Sequence, residues 1–372
     1  MPERKTRADR IKDGPARLEA RIPVPSLCLT LKLETKLMGG GVRPREIDAT
    51  QWLRGTSVRG ALRFWWRALY AHRYGSPREL LKTENSIFGA PASFDVHGRI
   101  VGGPGRLNVE VQDAVAEPSN IIHFTGRPGD PLTTAYFPST VGGNFPLLKS
   151  ASARLHLVWD GSDEDAAWLE VCEAAKAWLV FGGHGGRTRR AAGTLSVENQ
   201  GNFWFKDRSS LVDWLGDVSK CPISPAAPAN HHWLMGLFAL HHTRMLAIGN
   251  DKTTAEAAQI DLLEKWKAAR SQVKEGPPRK ELRFRAAWGL PLKGFGDQSQ
   301  RYASPVILSV VPLGPRIFVP LLLATTPHPP QSVGTVDEGW SNLLQSAVRN
   351  AFLGEKAPFT ELKDIKLSKE TR

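Results

Sequence analysis

Apolar and small or polar positions alternate along PSLCLTLKL, with Leu27, Leu29, Leu31 and Leu33 on one parity. That two-residue period predicts a strand with one face buried. The period then lengthens. From Gly55 onward Val58, Leu62, Trp65, Trp66 and Leu69 fall at i, i+4, i+7, i+8 and i+11, the single apolar face of an amphipathic helix. Thr56 or Ser57 is placed to cap it. Residues 86 to 160 are rich in Gly and Pro, with β-like pieces at Arg106–Val111 and Ala153–Trp159, so they predict two strands separated by a long insertion. DEDAAWLEVCEAAKAWLVF, from Asp163, has an acidic start and helical spacing and stops at Gly182 and Gly183. A short strand at Thr194–Val197 completes this half.

Strand, helix, two strands, helix, strand is the ferredoxin-like, split βαβ order, in which two helices cover one face of a four-stranded antiparallel sheet and leave the other free. The second half repeats it less regularly. Strands are expected at Asn202–Phe205, Leu282–Ala286, Val306–Val311 and Phe318–Leu323, and helices at Trp233–Leu246, Ala255–Ala269 and Trp340–Phe352. The expected class is α+β, two tandem ferredoxin-like (RRM-like) domains over residues 22–200 and 201–354, with a basic arm at 1–21 and a charged tail at 355–372. A chain of 372 residues suits two such domains.

Charge narrows the partners. Lys and Arg number 49 against 37 Asp and Glu, a formal net charge of +12, which favours a polyanion, nucleic acid ahead of an anionic membrane surface. No apolar run reaches the roughly 18 residues of a membrane span, and the first 21 residues lack a signal-peptide core, so a cytoplasmic, membrane-free protein is expected. Cys28, Cys172 and Cys221 are scattered without CxxC spacing, which predicts small core residues rather than a disulfide framework or zinc ribbon.

Two segments carry candidate chemistry. Between Asp48 and Glu79 no acidic residue occurs, while Arg54, Arg59, Arg63, Arg67, Arg73 and Arg78 do. Steps of four keep Arg59, Arg63 and Arg67 on one side of the helix, and no nearby carboxylate in sequence answers them. Arg59 and Gly60 in the first turn are each unfavourable for a helix, by about 0.3–1 kcal/mol for the cation and about 1 kcal/mol for the glycine. Both make sense if an anion sits at that end, where free N–H groups and a guanidinium fork form a phosphate site. The second segment is GGHGGRTRRAAGTL, with Gly182, Gly183, Gly185, Gly186 and Gly193 around His184, Arg187, Arg189 and Arg190. A helix C-cap explains one of the first two glycines, not Gly185 and Gly186. A phosphate loop here works against the helix dipole and needs its arginines and backbone N–H groups. It is neither a Walker A loop nor a GxGxxG turn. Lys293 and Arg301, close to Gly294 and Gly296, suggest a second basic loop. His231 and His232 lie about ten residues, about 15 Å on a helix, from His241 and His242, too far for one ion, so neither metal nor cofactor is expected.

SVRGALRFWWRAL, then IFG at Ile87–Gly89, then GGHGGRTRRAAG, then RYASPVIL at Arg301–Leu308, in that order, resembles the RAMP superfamily of CRISPR proteins. Within it the chain is most similar to the first-subunit family of the type III-B (Cmr) RNA-targeting effector complex. The resemblance implies two ferredoxin-like domains and a glycine-rich loop after the last helix of the first. It further implies a noncatalytic subunit beside the backbone and second cap subunit, at the end remote from the crRNA 5′ tag, with crRNA or single-stranded target RNA as ligand. The family usually carries a glycine and an aromatic where Ala191 and Ala192 stand, and an aliphatic where His184 stands. Because some RAMP relatives cleave RNA with a general acid or base, His184 is also the candidate of a rival endoribonuclease reading. A purely structural cap is the third.

Overall fold

The computed structural model describes residues 24–41, 46–94, 100–125, 130–136, 145–198, 201–219, 240, 243–271, 304–325, 338–354 and 359–362. The expected strands at Leu282–Ala286, the four histidines at 231, 232, 241 and 242, and Lys293 and Arg301 lie outside these residues.

The first half is built as its periodicities dictate. Strands β1 (Ser26–Leu33), β2 (Leu107–Gln112), β3 (Ser152–Trp159) and β4 (Leu195–Glu198) form one antiparallel sheet in the order β2-β3-β1-β4. Leu29 lies opposite Leu155, and Leu31 opposite Ala153 and Val197. All five are buried beneath α1 (Gly55–Tyr70) and α2 (Ala166–Ala177). Each large apolar side chain buried this way stabilises the fold by about 1.5–3 kcal/mol. The opposite parity, with Cys28, Lys32, Asn108, Glu110, Ser152 and Arg154, is exposed. Asp165 caps α2 through the Ala167 N–H at 2.9 Å, and a π-helical turn at Trp178–Gly182 extends it into the glycine loop.

The second half repeats the plan with β5 (Thr243–Ile248), α3 (Ala255–Ser271), β6 (Val306–Gly314), β7 (Ile317–Thr325), α4 (Glu338–Leu353) and β8 (Thr360–Glu361), in the order β6-β7-β5-β8. The fold is thus two tandem ferredoxin-like units. Here the sheet has no free face. Val306, Leu308, Val310, Leu322 and Ala324 pack with Trp266, Phe352 and the unit's own helices, while Ile307, Val311, Val319, Leu321 and Leu323 join the cluster that contains Trp178, Phe181, Trp204 and the first sheet.

Three expectations are corrected. Asn202–Phe205 is no strand but a turn; its Trp204 and Phe205 are buried, and the Trp204 indole N–H donates to Pro312 O at 2.7 Å. Thr243–Leu246 opens β5 rather than closing a helix, because a continuous apolar run such as MLAI carries no period to choose by. The helix near residue 58 begins at Gly55, with Arg54 at its cap position and no side-chain cap, so Thr56 and Ser57 lie inside its first turn. Helices at Pro77–Phe88 and Arg208–Ser219 were not anticipated. The long insertion adds a sheet of Leu37–Met38, Phe145–Leu148 and Ile121–Phe124, whose Leu147 joins the second unit's cluster.

Candidate nucleic-acid interface

Most of the arginines on and around α1 have partners that sequence distance concealed. Glu84, on the following helix and almost wholly buried, receives Arg63 Nε at 3.1 Å and Arg67 Nε at 3.0 Å. The approach is ionic, since neither Nε finds an aligned hydrogen-bond acceptor. Arg63 also donates to the Gly89 carbonyl and lies over the Phe88 ring. Burial raises the Glu84 carboxyl above its ordinary range, and the two guanidinium groups pull it back. Arg54 meets Asp48 at 2.5 Å, and Arg73 meets Glu170 of α2 at 2.8 Å. Hydrogen bonds from Thr50 and Arg54 hold the Asp48 carboxyl well below the usual carboxylate range. The expectation of an unanswered arginine row is therefore corrected for Arg54, Arg63 and Arg67.

Arg59 is the exception within that row. Among the described residues it has no carboxylate, and its Nε is buried without a partner. Around it the first turn of α1 is open, with Thr56, Ser57 and Gly60 exposed, no acidic residue, and nothing within 4 Å of a Cβ built on Gly60. Phe64, one position off the apolar stripe, is half-buried edge-on against Trp65 rather than presented to solvent.

The glycine loop is folded against the protein along most of its length. Gly182 abuts the Trp65 and Trp178 indoles. The Gly186 N–H donates to Met38 O at 2.7 Å, and His184 N–H to Gly193 O at 2.9 Å. Gly185, at φ +86°, places its Cα so that a Cβ would fall 2.9 Å from Met38 O. Packing against the Leu37–Met38 strand thus accounts for the two glycines that a simple C-cap leaves over. His184 contributes its ring to the same scaffold. Its Nε2 lies 2.8 Å from Trp52 O, and the ring stands edge-on to Trp52 at 6.0 Å between centroids. Burial brings its pKa down to about 4, assisted by the Arg54 charge and opposed by the Trp52 carbonyl. A neutral imidazole donating Nε2–H to a carbonyl is a packing element, and no local pattern of residues marks Trp52 as its partner.

The depressed pKa has a stability consequence. Between about pH 6.5 and pH 4 the unfolded chain binds a proton at His184 that the folded chain refuses, so this residue's contribution is intact above pH 6.5 and lost as pH falls through that window. His184→Gln, which keeps a donor for Trp52 O, is expected to flatten the pH dependence of the urea midpoint over that interval. Parallel wild-type and variant curves would contradict the assignment.

The loop's arginines divide. Arg190 points into the second unit, its guanidinium 4.2 Å over the Trp266 ring, donating to Val306 O at 3.0 Å and Ser304 Oγ at 3.1 Å. Burial is the main force pulling its pKa down, with Arg270, Arg187 and Arg189 adding to it. Arg189 donates to the Ser304 carbonyl. Ala191 N–H donates to Leu308 O at 3.0 Å, and Gln259 of α3 donates to the carbonyls of Arg190 at 3.2 Å and Ala191 at 3.1 Å. Thr35 Oγ1 donates to Ala191 O at 2.7 Å. Ala191 holds this place at φ +55°, a conformation that glycine adopts without a steric penalty. Arg187 alone of the three is exposed as a whole residue and forms no ion pair among the described residues, while partial burial of its guanidinium lowers its pKa. Sequence reasoning missed Glu84, Thr35, Gln259 and Trp266, whose roles depend on contacts between distant segments.

His184 joins the two motifs. By binding Trp52 O it seats the loop on the segment that leads into α1, close enough for Arg54 to act on its titration. The segment leading into the uncapped start of α1, with Arg59 and Gly60, is thus tied through Trp52 and His184 to the loop that exposes Arg187.

Residues 30–196 match the family model of the RAMP superfamily. No curated protein sequence matches the chain. Among solved structures, a chain of the type III-B Cmr-beta complex bound to cognate target RNA is 9% identical, with 87% of this chain and 99% of that one covered and a TM-score of 0.51. A second state of that complex, with AMPPnP and in the presence of ssDNA, gives 10%, 88%, 99% and 0.51. Cmr1 from Pyrococcus furiosus in its apo form is 16% identical, over 90% of this chain and 98% of that one, at a TM-score of 0.49. At such identities the likeness is one of fold. No helix among the described residues is long and apolar enough to cross a membrane.

Proposed function

We propose, from the match of residues 30–196 to the RAMP superfamily model, that this chain is a noncatalytic RNA-binding subunit of a type III-B CRISPR effector complex, helping to capture target RNA at the end remote from the crRNA 5′ tag. Its partners in this reading are single-stranded target RNA or crRNA and the neighbouring backbone and second cap subunits. The observation that carries it is the seating of the glycine loop on the entry to α1, which supports one phosphate-binding side with the half-buried Arg59 and the exposed Gly60 and Arg187 as its groups. Arg54, Arg63 and Arg67 shape that side through Asp48 and Glu84, with part of each side chain still in solvent. Gly182, Gly183, Gly185, Gly186, Gly193, Arg189 and Arg190 fix the loop; Lys293 and Arg301 remain candidate contacts.

The open face of the first sheet is a poorer platform. Its described positions carry no Phe, Trp or Tyr for base stacking, and Lys32 and Arg154 are engaged with Glu34 and Asp113. His184 as an acid or base is disfavoured because its ring is neutral and bound to Trp52. A structural-cap reading draws support from the many internally paired arginines. Binding of single-stranded RNA across a salt series separates the two. Each phosphate contact contributes about 0.7 to the log–log slope, so Arg59→Ala/Arg187→Ala should flatten it by about 1.4 and leave the RNA intact on a gel. An unchanged slope would favour the structural cap.

A further inference from the structure

Register pairing across the open face of the first sheet lines up Glu110 of β2, His156 of β3 and Cys28 of β1 in a single row. Directly paired residues on antiparallel strands present their side chains to the same face, with Cβ atoms about 4.5–5.5 Å apart. The row therefore runs carboxylate, imidazole, thiol. Cys28 Sγ lies 3.5 Å from His156 Nε2, within sulfur hydrogen-bond range, and the thiol is exposed. This departs from the expectation that the cysteines are small core residues. Cys172 does fit that expectation: it is half-buried in the core, and its thiol is pushed up to about 12, chiefly by burial.

The surroundings suit a nucleophile. Thiol–disulfide exchange needs a thiolate, an acceptor for its proton, and access for the incoming sulfur. His156, within hydrogen-bond range of the thiol, supplies the acceptor; the Glu110 carboxylate in the same row accepts from the Gln112 amide at 2.7 Å. Among the described residues Cys28 is exposed, and both helices of this unit cover the other face. The charged groups on the face around Cys28 are Glu110 on β2, Arg154 on β3 and Glu198 at the end of β4, opposite Thr30. Arg154 is held by Asp113, so the nearest uncommitted base is the imidazole.

We propose that Cys28 is a thiol-modification site for low-molecular-weight disulfides, with His156 as its proton acceptor. Cys28 Sγ attacks one sulfur of the disulfide; that S–S bond breaks as the Cys28–S bond forms. The thiol proton passes to His156 Nε2, and the second sulfur leaves as a thiolate. The disulfide is itself the oxidant, and reversal by a free thiol restores Cys28. The site is independent of the RNA-binding reading and lies on a different face.

The test treats the purified full chain with 5,5′-dithiobis(2-nitrobenzoate) and, separately, with oxidised glutathione, assigning adducts to the three cysteines by peptide mass mapping. Cys28 should take the first adduct with both probes. At pH 7 it should react about fivefold or more faster than in His156→Gln. The gap should close above about pH 9, where an ordinary thiol ionises unaided. Equal rates in wild type and His156→Gln at pH 7, or first modification at Cys172 or Cys221, would overturn the proposal. Cys28→Ser should abolish the fast phase, and a fast phase that persists would do the same.

Discussion

Gly193→Ala is expected to lower the urea midpoint by the equivalent of about 2–6 kcal/mol. Two costs combine. Gly193 sits at φ +67°, in the left-handed region where a side chain is strained by about 1–3 kcal/mol. A Cβ there would also lie 1.8 Å from the His184 carbonyl oxygen, an overlap that packing relieves only by moving backbone, at about another 1–3 kcal/mol. Relief by separation is blocked, because His184 N–H is bonded to Gly193 O at 2.9 Å and Gly193 N–H to Lys36 O at 3.1 Å. Since the same loop presents Arg187, RNA affinity should fall together with stability. A variant with wild-type stability would show that the loop is not closed at this point.

Glu84→Ala is the second large effect, with an expected cost of about 2–4 kcal/mol in the same denaturation experiment. Removing one member of a buried ion pair leaves uncompensated charge and typically costs about 3–5 kcal/mol. The lower range applies because Arg63 and Arg67 keep 26% and 38% of their side-chain surface in solvent. Glu84→Gln should cost less, since the amide keeps a partly negative oxygen beside the two guanidinium groups and the penalty for burying a carboxylate disappears. The two variants also probe function. If the proposed RNA side is right, releasing Arg63 and Arg67 should leave the salt slope undiminished. Equal stabilities for wild type and Glu84→Ala would mean the pair contributes nothing.

The sequence was most legible where one periodicity governed one face. Leu29, Leu31 and Leu33 in β1, and Val58, Leu62, Trp65, Trp66 and Leu69 in α1, are buried as their spacing required, and together they fix the first ferredoxin-like unit. The second unit was harder because β6 and β7 are covered on both sides, so their runs VILSVVPL and FVPLLLAT carry apolar residues without alternation. The turn at Asn202–Phe205 misled for a related reason: three aromatics in four residues have the composition of a strand, yet Trp204 and Phe205 are buried as a plug against β6.

The site was legible as composition and not as geometry. Gly182 to Gly193 and the arginine row were visible as motifs, but which cations stay accessible depends on Glu84 and Gln259, which approach from other segments. Counting acids within the window from Asp48 to Glu79 could not find a carboxylate five residues beyond it. Arg190 illustrates the same limit, since a buried cation over Trp266 and an exposed one beside it are identical as letters.

The central claim is that RNA lies along the start of α1 and the tip of the glycine loop. Photocrosslinking of 4-thiouridine-labelled single-stranded RNA to the full chain, with crosslinked peptides mapped by mass spectrometry, tests this most directly. The account predicts crosslinks within residues 54–60 and 184–190, lost in Arg59→Ala/Arg187→Ala. Crosslinks concentrated on the open face of the first sheet, at Ser152–Val158, or a map unchanged in the double variant, would contradict it.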